Sequence, residues 1–242
     1  MPFIPTNHNF VKKTYGNFGN INSFLSFAAA MEIKDRIKQK ADELYRRYGV
    51  KSVTMDEIAS QLGVSKKTIY QSFSDKNELV DAVIIDMLDF NKICCHKSQI
   101  QSENAVHEIF LAIENFQHIM INMNPAILFD IKRGYPQTFQ KFSDYKYDFL
   151  FKIIKNNIER GKREGLYREE LDADMIAKVR IENLMLPFNE EVFPRSEYSL
   201  VVLQQEMMEY FLFGMVTLKG NKLISKYQKE RSEKNGIKKT EQ

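Results

Sequence analysis

The chain has 242 residues, of which 43% are apolar, and its formal net charge is +3. This length exceeds one average domain, so we expect two domains with a sizeable buried core. A membrane span of ~18 uninterrupted apolar residues is excluded, because even the apolar stretch 200–218 contains Gln204, Gln205, Glu206 and Glu209. The sequence therefore predicts a soluble protein.

Charge is distributed unevenly along the chain. Residues 31–80 carry ten basic and eight acidic residues, residues 81–218 carry 15 basic and 21 acidic, and residues 219–242 carry eight basic and three acidic. An acidic body is repelled by a DNA backbone, so a nucleic-acid contact is expected only in the N-terminal part. We interpret the basic C-terminal tail, residues 221–242, as a frayed solubilising end, with an auxiliary contact as the alternative.

Residues 1–30 show no helical or strand period and are rich in Asn, Gly and Phe. Lys12 and Lys13 followed by FLSFAAA imitate a secretory signal, but the intervening GNFGNIN is too polar for its apolar core. We expect a disordered extension, with Met31 as the translation start. From Ile33 to Tyr48, apolar residues recur at helical spacing and predict an amphipathic helix.

The stretch 54–73, TMDEIASQLGVSKKTIYQSF, has the spacing of a helix-turn-helix that reads DNA. Ala59 is small enough for two helices to cross closely, and Gly63 tolerates the left-handed conformation in which the first helix can end. Ser65 can cap the second helix, whose residue Ile69 faces the first. The stretch therefore predicts two short helices joined by a tight turn.

The outward face of the second helix follows from its period. Lys67 and Gln71 point directly away from Ile69, while Thr68 and Tyr70 lie to either side. Lysine can donate to guanine and glutamine can pair with adenine, whereas Thr and Tyr hydroxyls suit phosphate oxygens. This pattern predicts a base-reading face with phosphate-binding flanks.

The run 33–80, with YGVKSVTMDEIASQLGVSKKTIYQSFSDKNELV at its centre, resembles the N-terminal domain of TetR-type (TetR/AcrR) transcriptional regulators. The resemblance implies an all-α protein with an N-terminal three-helix DNA-binding domain, residues 31–80, and a C-terminal helical regulatory and dimerisation domain, residues 81–220. It implies that Thr54, Tyr70 and Lys76 hold phosphates, and that Ser65, Lys66, Lys67, Thr68 and Gln71 lie at the DNA, most of them near base edges. Many members carry glycine where this chain has Lys67, so the operator sequence does not carry over.

The remainder of the chain reads as helical, without strand alternation or repeats. Asp75 is expected to cap a long fourth helix, and Pro125 to start a short one. Further helices are predicted over 103–123, from Pro136 to the glycines at 161 and 165, over 172–186, and over 197–218, with 222–229 prolonging the last.

Two adjacent cysteines, Cys94 and Cys95, cannot build a disulfide framework, which fits a reducing cytoplasm. We interpret them as packing residues, with redox sensing as the alternative. His107 and His118 lie too far apart along one helix to bind a single metal ion. We assign no metal site and no cofactor.

In the resembling family the last large helices pair with their copies in a dimeric four-helix bundle. A homodimer is also favoured because one short helix reads few base pairs, whereas two copies read both halves of a palindromic operator. Apolar residues suited to this pairing are Val179, Leu184, Met185, Leu203, Met207, Tyr210, Phe211, Gly214 and Met215.

The middle helices of the family surround a ligand cavity. Candidate lining residues in this chain are Phe110, Met120, Met123, Phe129, Phe142 and Tyr145. For each of them taken alone, core packing is the more frequent role. They suit an apolar effector. The implied function is a homodimeric repressor that a small molecule releases from its operator.

Two other classes of function stay open. One is a DNA-binding regulator or activator without an effector, and the other is a helical enzyme with an accessory DNA-binding head. Residues 81–218 contain no Gly-rich phosphate loop, nucleophile elbow or His/carboxylate cluster with metal spacing. We therefore predict no enzymatic activity.

Overall fold

The structure, a computed structural model, describes the backbone of residues 21–120 and 123–240 and the side chains of residues 32–117 and 123–233. Within these ranges the chain is helical, and the isolated antiparallel bridge between Tyr167 and Val216 belongs to no sheet. The all-α prediction is confirmed. None of the described helices is long and apolar enough to cross a membrane.

The N-terminal part contains helices α1 (Ile21–Tyr48), α2 (Met55–Leu62) and α3 (Lys66–Ser72). Helix α1 begins at Ile21, before the start at Ile33 that the apolar period predicts. Residues 21–30 are thus helical where a disordered extension was expected, because Ala and Leu in FLSFAAA have high helix propensity even without an amphipathic pattern. Residues 1–20 of that extension lie outside the described residues.

Helix α4 (Lys76–Gln101) connects the N-terminal helices to the rest of the chain. The Asp75 side chain caps it by accepting a hydrogen bond from the Glu78 backbone N–H at 2.9 Å, as predicted. Its N-terminal turns bury Leu79 and Val83 in the same core as α1, and further along it packs against α5 and α7. One rigid element therefore belongs to both halves of the protein.

The C-terminal part forms a helical body around α4. Its elements are α5 (Ala105–Met120), α6 (Ala126–Gly134), α7 (Pro136–Asp144), a π-helical segment (Tyr145–Leu150), α8 (Phe151–Arg163), α9 (Ala173–Asn183), a 3-10 turn (Leu186–Phe188), α10 (Leu200–Phe213) and α11 (Leu218–Thr240). The long helix predicted from Pro136 is present, but the π-helical segment interrupts its regular period. Sequence periodicity does not reveal that interruption.

Helix α10 ends at Phe213, earlier than the predicted end at residue 218. The chain after it pairs with the turn that follows α8. The Arg168 N–H donates to the Met215 carbonyl, and the Thr217 N–H donates to the Leu166 carbonyl, both at 2.9 Å. These backbone hydrogen bonds to a segment distant in sequence end the helix. The local sequence pattern does not predict them.

Helix α11 corrects the interpretation of the C-terminal tail as a frayed end. Ile224 and Tyr227 are buried in a core that also contains residues of α5, α8, α9 and α10. The Tyr227 ring stacks on His107 at 4.7 Å between ring centroids, and Arg231 forms an ion pair with Glu209. The tail is helical to Thr240 and, over these turns, forms part of the body.

Gly161 and Gly134 provide a matched test of this packing. A methyl group at Gly161 would lie only 2.1 Å from the Tyr167 ring, whereas a methyl group at Gly134 would meet nothing within 4 Å. We expect Gly161→Ala to lower the free energy of unfolding by about 1–3 kcal/mol or more through overpacking. Gly134→Ala should leave it unchanged or raise it by up to about 1 kcal/mol. Urea denaturation of both variants measures the difference, and equal values would contradict this close approach.

Candidate nucleic-acid interface and interior cavity

The helix-turn-helix predicted over residues 54–73 is confirmed. The Thr54 hydroxyl accepts a hydrogen bond from the Glu57 N–H at 3.1 Å, so it caps the start of α2. Gly63 ends α2 with a φ of +66°, a conformation that glycine adopts without a steric penalty. The Ser65 hydroxyl caps α3 by accepting from the Thr68 N–H at 3.1 Å. Ile69, fully buried, anchors α3 to the core.

The opposite face of α3 is open to solvent. Lys67 and Gln71 are exposed, Tyr70 is 44% exposed and Thr68 is half-buried. The Thr68 and Ser65 hydroxyls lie within 2.8 Å of each other in a hydrogen bond. Donors and acceptors on this face can therefore approach the floor of a DNA major groove while the hydroxyls lie at its edge.

Lys66, at the first turn of α3, is not a free cation. Its Nζ donates to Asp56 Oδ2 at 2.8 Å, and this hydrogen bond raises the pKa of Lys66. Both side chains are exposed, so the pair can exchange with water or with a phosphate. An approach of Lys66 to base edges requires that the contact with Asp56 opens.

Lys76 has a structural partner as well as the phosphate role that the resemblance implies. Its Nζ donates to the Val50 carbonyl at 2.7 Å, in the turn between α1 and α2, and partial burial lowers its pKa. That turn is tight, because Gly49 adopts a φ of +81°. The ammonium group therefore holds the turn against the start of α4.

The C-terminal body contacts both this turn and the end of α1. The Lys51 N–H donates to Asp130 Oδ2 at 2.8 Å, and the Asn124 N–H donates to the Arg46 carbonyl at 2.8 Å. The segment 123–130, which includes the start of α6, thus contacts the N-terminal helices directly. Met123 and Leu128 of this segment also line an interior cavity.

The cavity has a volume of about 230 Å³ and is lined mainly by apolar side chains from the helices α4 to α10. Three of the six residues predicted to line it do so, namely Met123, Phe142 and Tyr145. Tyr145 belongs to the π-helical segment, which also contributes Lys146 and Leu150 to the wall.

Two of the other three predicted lining residues lie elsewhere. Phe110 is buried in the C-terminal core, where its ring contacts Tyr227 and the Arg231 guanidinium. Phe129 is on the surface, with 62% of it exposed. Both were predicted to line the cavity because of their aromatic character, which does not determine the direction of a side chain. The side chain of Met120 lies outside the described residues.

A buried arginine in the cavity wall was missed by the sequence analysis. Arg180 of α9 is 5% exposed, and its guanidinium lies over the Phe211 ring at 5.4 Å from the centroid. Among the described residues, neither Nη1 nor Nη2 has a hydrogen-bond partner. Burial lowers the pKa of Arg180 to about 10, so the group is still charged at neutral pH. A basic residue on the buried side of α9, beside Ala173, Ala177 and Ile181, was the available signal.

Cys94 and Cys95 also line the cavity, as free thiols. Burial raises the pKa of Cys95 to about 11 and raises that of Cys94. Reactive cysteines need a lowered pKa, because the thiolate is the nucleophile. The environment of these thiols therefore favours packing over redox sensing.

The nine residues proposed for a dimer interface occupy four environments. Val179, Tyr210 and Gly214 are exposed, and Leu203 and Met207 are half-buried. Leu184, Met185 and Phe211 line the cavity, and Met215 is buried in the C-terminal core. Met215 is thus not accessible to a second copy, because the pairing of residues 214–217 with the turn after α8 turns it inward.

The capped helix-turn-helix and the helical body together define a helix-turn-helix transcriptional regulator. Residues 37–83 match the family described as bacterial regulatory proteins, tetR family. An HTH-type transcriptional regulator of Staphylococcus aureus strain USA300 is 32% identical over 146 residues, which cover 57% of this chain and 77% of the relative. The chain belongs to the TetR family, and it is a DNA-binding transcriptional regulator.

Solved structures share the fold. A putative transcriptional regulator from Saccharomonospora viridis in complex with choline superimposes with a TM-score of 0.65 at 18% identity, over 77% of this chain and 99% of that one. A TetR family regulator from Agrobacterium tumefaciens also gives 0.65, at 14% identity over 78% and 100%. At these identities the likeness concerns the fold alone.

The structural contact of Lys76 leads to a stability prediction. Lys76→Met removes the donor to the Val50 carbonyl, and we expect the free energy of unfolding to fall by about 1 kcal/mol, because the contact is only partly shielded from water. The matched control is Lys67→Met, which removes an exposed ammonium group from α3 and should leave stability unchanged. Urea denaturation measures both variants. Equal stability of Lys76→Met and the wild type would show that the turn does not depend on this contact.

Proposed function

We propose that the protein is a homodimeric repressor that binds a palindromic operator and leaves it when a small effector occupies the interior cavity. The observation that carries the proposal is the position of segment 123–130. Its Met123 and Leu128 line the cavity, while Asn124 hydrogen-bonds the end of α1 and Asp130 hydrogen-bonds the turn that follows it. Met123 in the cavity wall is therefore the direct sequence neighbour of Asn124, which contacts the DNA-binding part.

The DNA-facing residues have separate roles in this function. Lys67 and Gln71 read base edges, joined by Lys66 and Thr68, because these residues lie on or beside the outward face of α3. Tyr70 and Thr54 bind phosphates, with Ser65 at the head of α3. Lys76 supports the backbone turn that positions this face, and it contributes positive charge near the phosphates.

Release by an effector has a thermodynamic requirement. The effector must bind more tightly to the conformation that does not fit DNA, and a tenfold release needs about 1.4 kcal/mol of differential affinity. Helix α4 and segment 123–130 both run from the cavity to the DNA-binding part, so a shift of the wall can alter its orientation. The Saccharomonospora viridis regulator in complex with choline supports a small-molecule effector, since it shares the fold.

The proposed dimer uses the exposed apolar faces of α9 and α10. Met175 and Val179 are one turn apart on α9, and Val202, Tyr210 and Phe213 follow helical spacing on α10. Val179, Leu203, Met207, Tyr210 and Gly214 therefore stay in the proposed interface. The apolar area they expose suits pairing with a second copy.

The alternative is a regulator or activator that binds DNA without an effector. Selection of bound DNA from a random pool tests the part that both proposals share, and a two-fold symmetric site is expected. Salt-dependent binding without sequence preference would contradict sequence-specific regulation. We propose no enzymatic activity, since the family consists of transcriptional regulators.

Substitutions on α3 distinguish residues that recognise bases from residues that bind phosphates. Gln71→Ala should cost about 1–3 kcal/mol at particular operator bases and relax the preference there. Tyr70→Phe removes a hydroxyl donor and should weaken binding to all sequences alike. Titration of both variants against the selected operator and its single-base variants distinguishes the two effects. A uniform loss for both would refute this division of roles.

Dimerisation is tested on α10. Tyr210, which is 83% exposed, would be desolvated in the proposed interface, so Tyr210→Glu should place an unpaired charge there and yield monomers at micromolar concentration. Phe129→Glu is the control, because Phe129 is also a largely exposed aromatic residue but lies on α6. Sedimentation velocity measures the molecular mass of each variant. A wild-type monomer, or dissociation by both variants alike, would count against the interface.

A further inference from the structure

The guanidinium of Arg180 lies in the wall of an apolar cavity without a hydrogen-bond partner for either terminal nitrogen among the described residues. A buried charge without a partner costs several kcal/mol, and buried charges in proteins are normally paired. The Phe211 ring beside it offers a cation–π contact, which offsets only part of this cost. An anionic partner beside Arg180 would offset the remaining cost.

The other charged groups in the cavity wall already have partners. Lys146 Nζ lies 3.3 Å from both carboxylate oxygens of Glu182. Glu108 accepts from Arg160 Nη1 at 3.1 Å. Arg180 is consequently the charge in this wall that the described residues do not compensate, and the cavity carries an excess positive charge.

We propose that the effector site binds a small amphipathic carboxylate, with its carboxylate paired to Arg180 and its apolar tail in the remainder of the cavity. This inference rests on the proposed function, since it names the ligand class of the same site. A carboxylate matches the planar guanidinium in a bidentate pair, which is strong where water is excluded. The apolar side chains of the wall match an alkyl or aryl tail.

The size of the cavity limits the tail. Its volume of about 230 Å³ is below the roughly 300–1,000 Å³ of pockets that hold drug-sized ligands. Carboxylates of medium chain length are therefore the appropriate probes, and octanoate and decanoate represent them. Octanol and decanol carry the same tails without the charge.

The experiment is calorimetric titration of the full chain with these four probes. The wild type should bind the carboxylates at least tenfold more tightly than the alcohols of equal length. Arg180→Met keeps most of the side-chain volume and should lose this preference while still binding the alcohols. Arg180→Lys, which keeps the charge, should retain part of the preference.

Lys178→Met is the matched control, because it removes a cation from the surface of the same helix and leaves the cavity unchanged. Thermal melts without a probe test for a purely structural role of Arg180. Removal of an unpaired buried charge should leave the melting temperature of Arg180→Met equal to or above that of the wild type. A lower melting temperature would show that Arg180 serves the fold and would contradict the proposal.

Three further results would overturn it. These are equal affinity for carboxylates and alcohols, unchanged carboxylate affinity in Arg180→Met, and no binding of either carboxylate. A separate measurement of operator binding distinguishes failure of the carboxylate proposal from failure of the proposed function. A protein that binds its operator but no carboxylate refutes only the ligand class, whereas one that binds decanoate without release of DNA refutes only effector control.

Discussion

Helix α4 is the constraint on which the other parts of the structure depend, because its two halves pack against different partners. Its first turns complete the core of the DNA-binding helices, and its later turns form one wall of the cavity. A helix held in this way cannot move at one end without disturbing packing at the other, since protein interiors are close-packed. Segment 123–130 makes a second connection between the same two regions.

The interior contains two kinds of buried charged group. Some are paired and connect helices, whereas one has no protein partner among the described residues and is available to a ligand. Arg160 with Glu108, and Arg231 with Glu209, form pairs in which each charge has a partner from another helix. Such pairs specify how helices fit together. Arg180 belongs to a different class, because its surroundings are apolar and its terminal nitrogens have no protein acceptor among the described residues. That contrast, more than the cavity itself, indicates the chemistry of the site.

The predictions that the structure confirmed depend on signals between residues that are close in sequence. The helix-turn-helix depends on capping hydroxyls, one left-handed glycine and an apolar period, all within twenty residues, so its geometry follows from the sequence. Helix ends set by distant contacts were predicted less well. Helix α10 stops where residues 214–217 pair with the turn after α8, and α11 is held by contacts of Tyr227 and Arg231 with α5 and α10.

The sequence by itself determined the helical class, the family resemblance and the outward face of α3, since these depend on the spacing of neighbouring residues. Only the tertiary structure decided which apolar side chains line the cavity, which of them lie in the core, and that Arg180 faces inward without a partner. An apolar residue has the same local pattern in each of these environments. Its role is determined by side chains that are distant in sequence and meet only when the chain has folded.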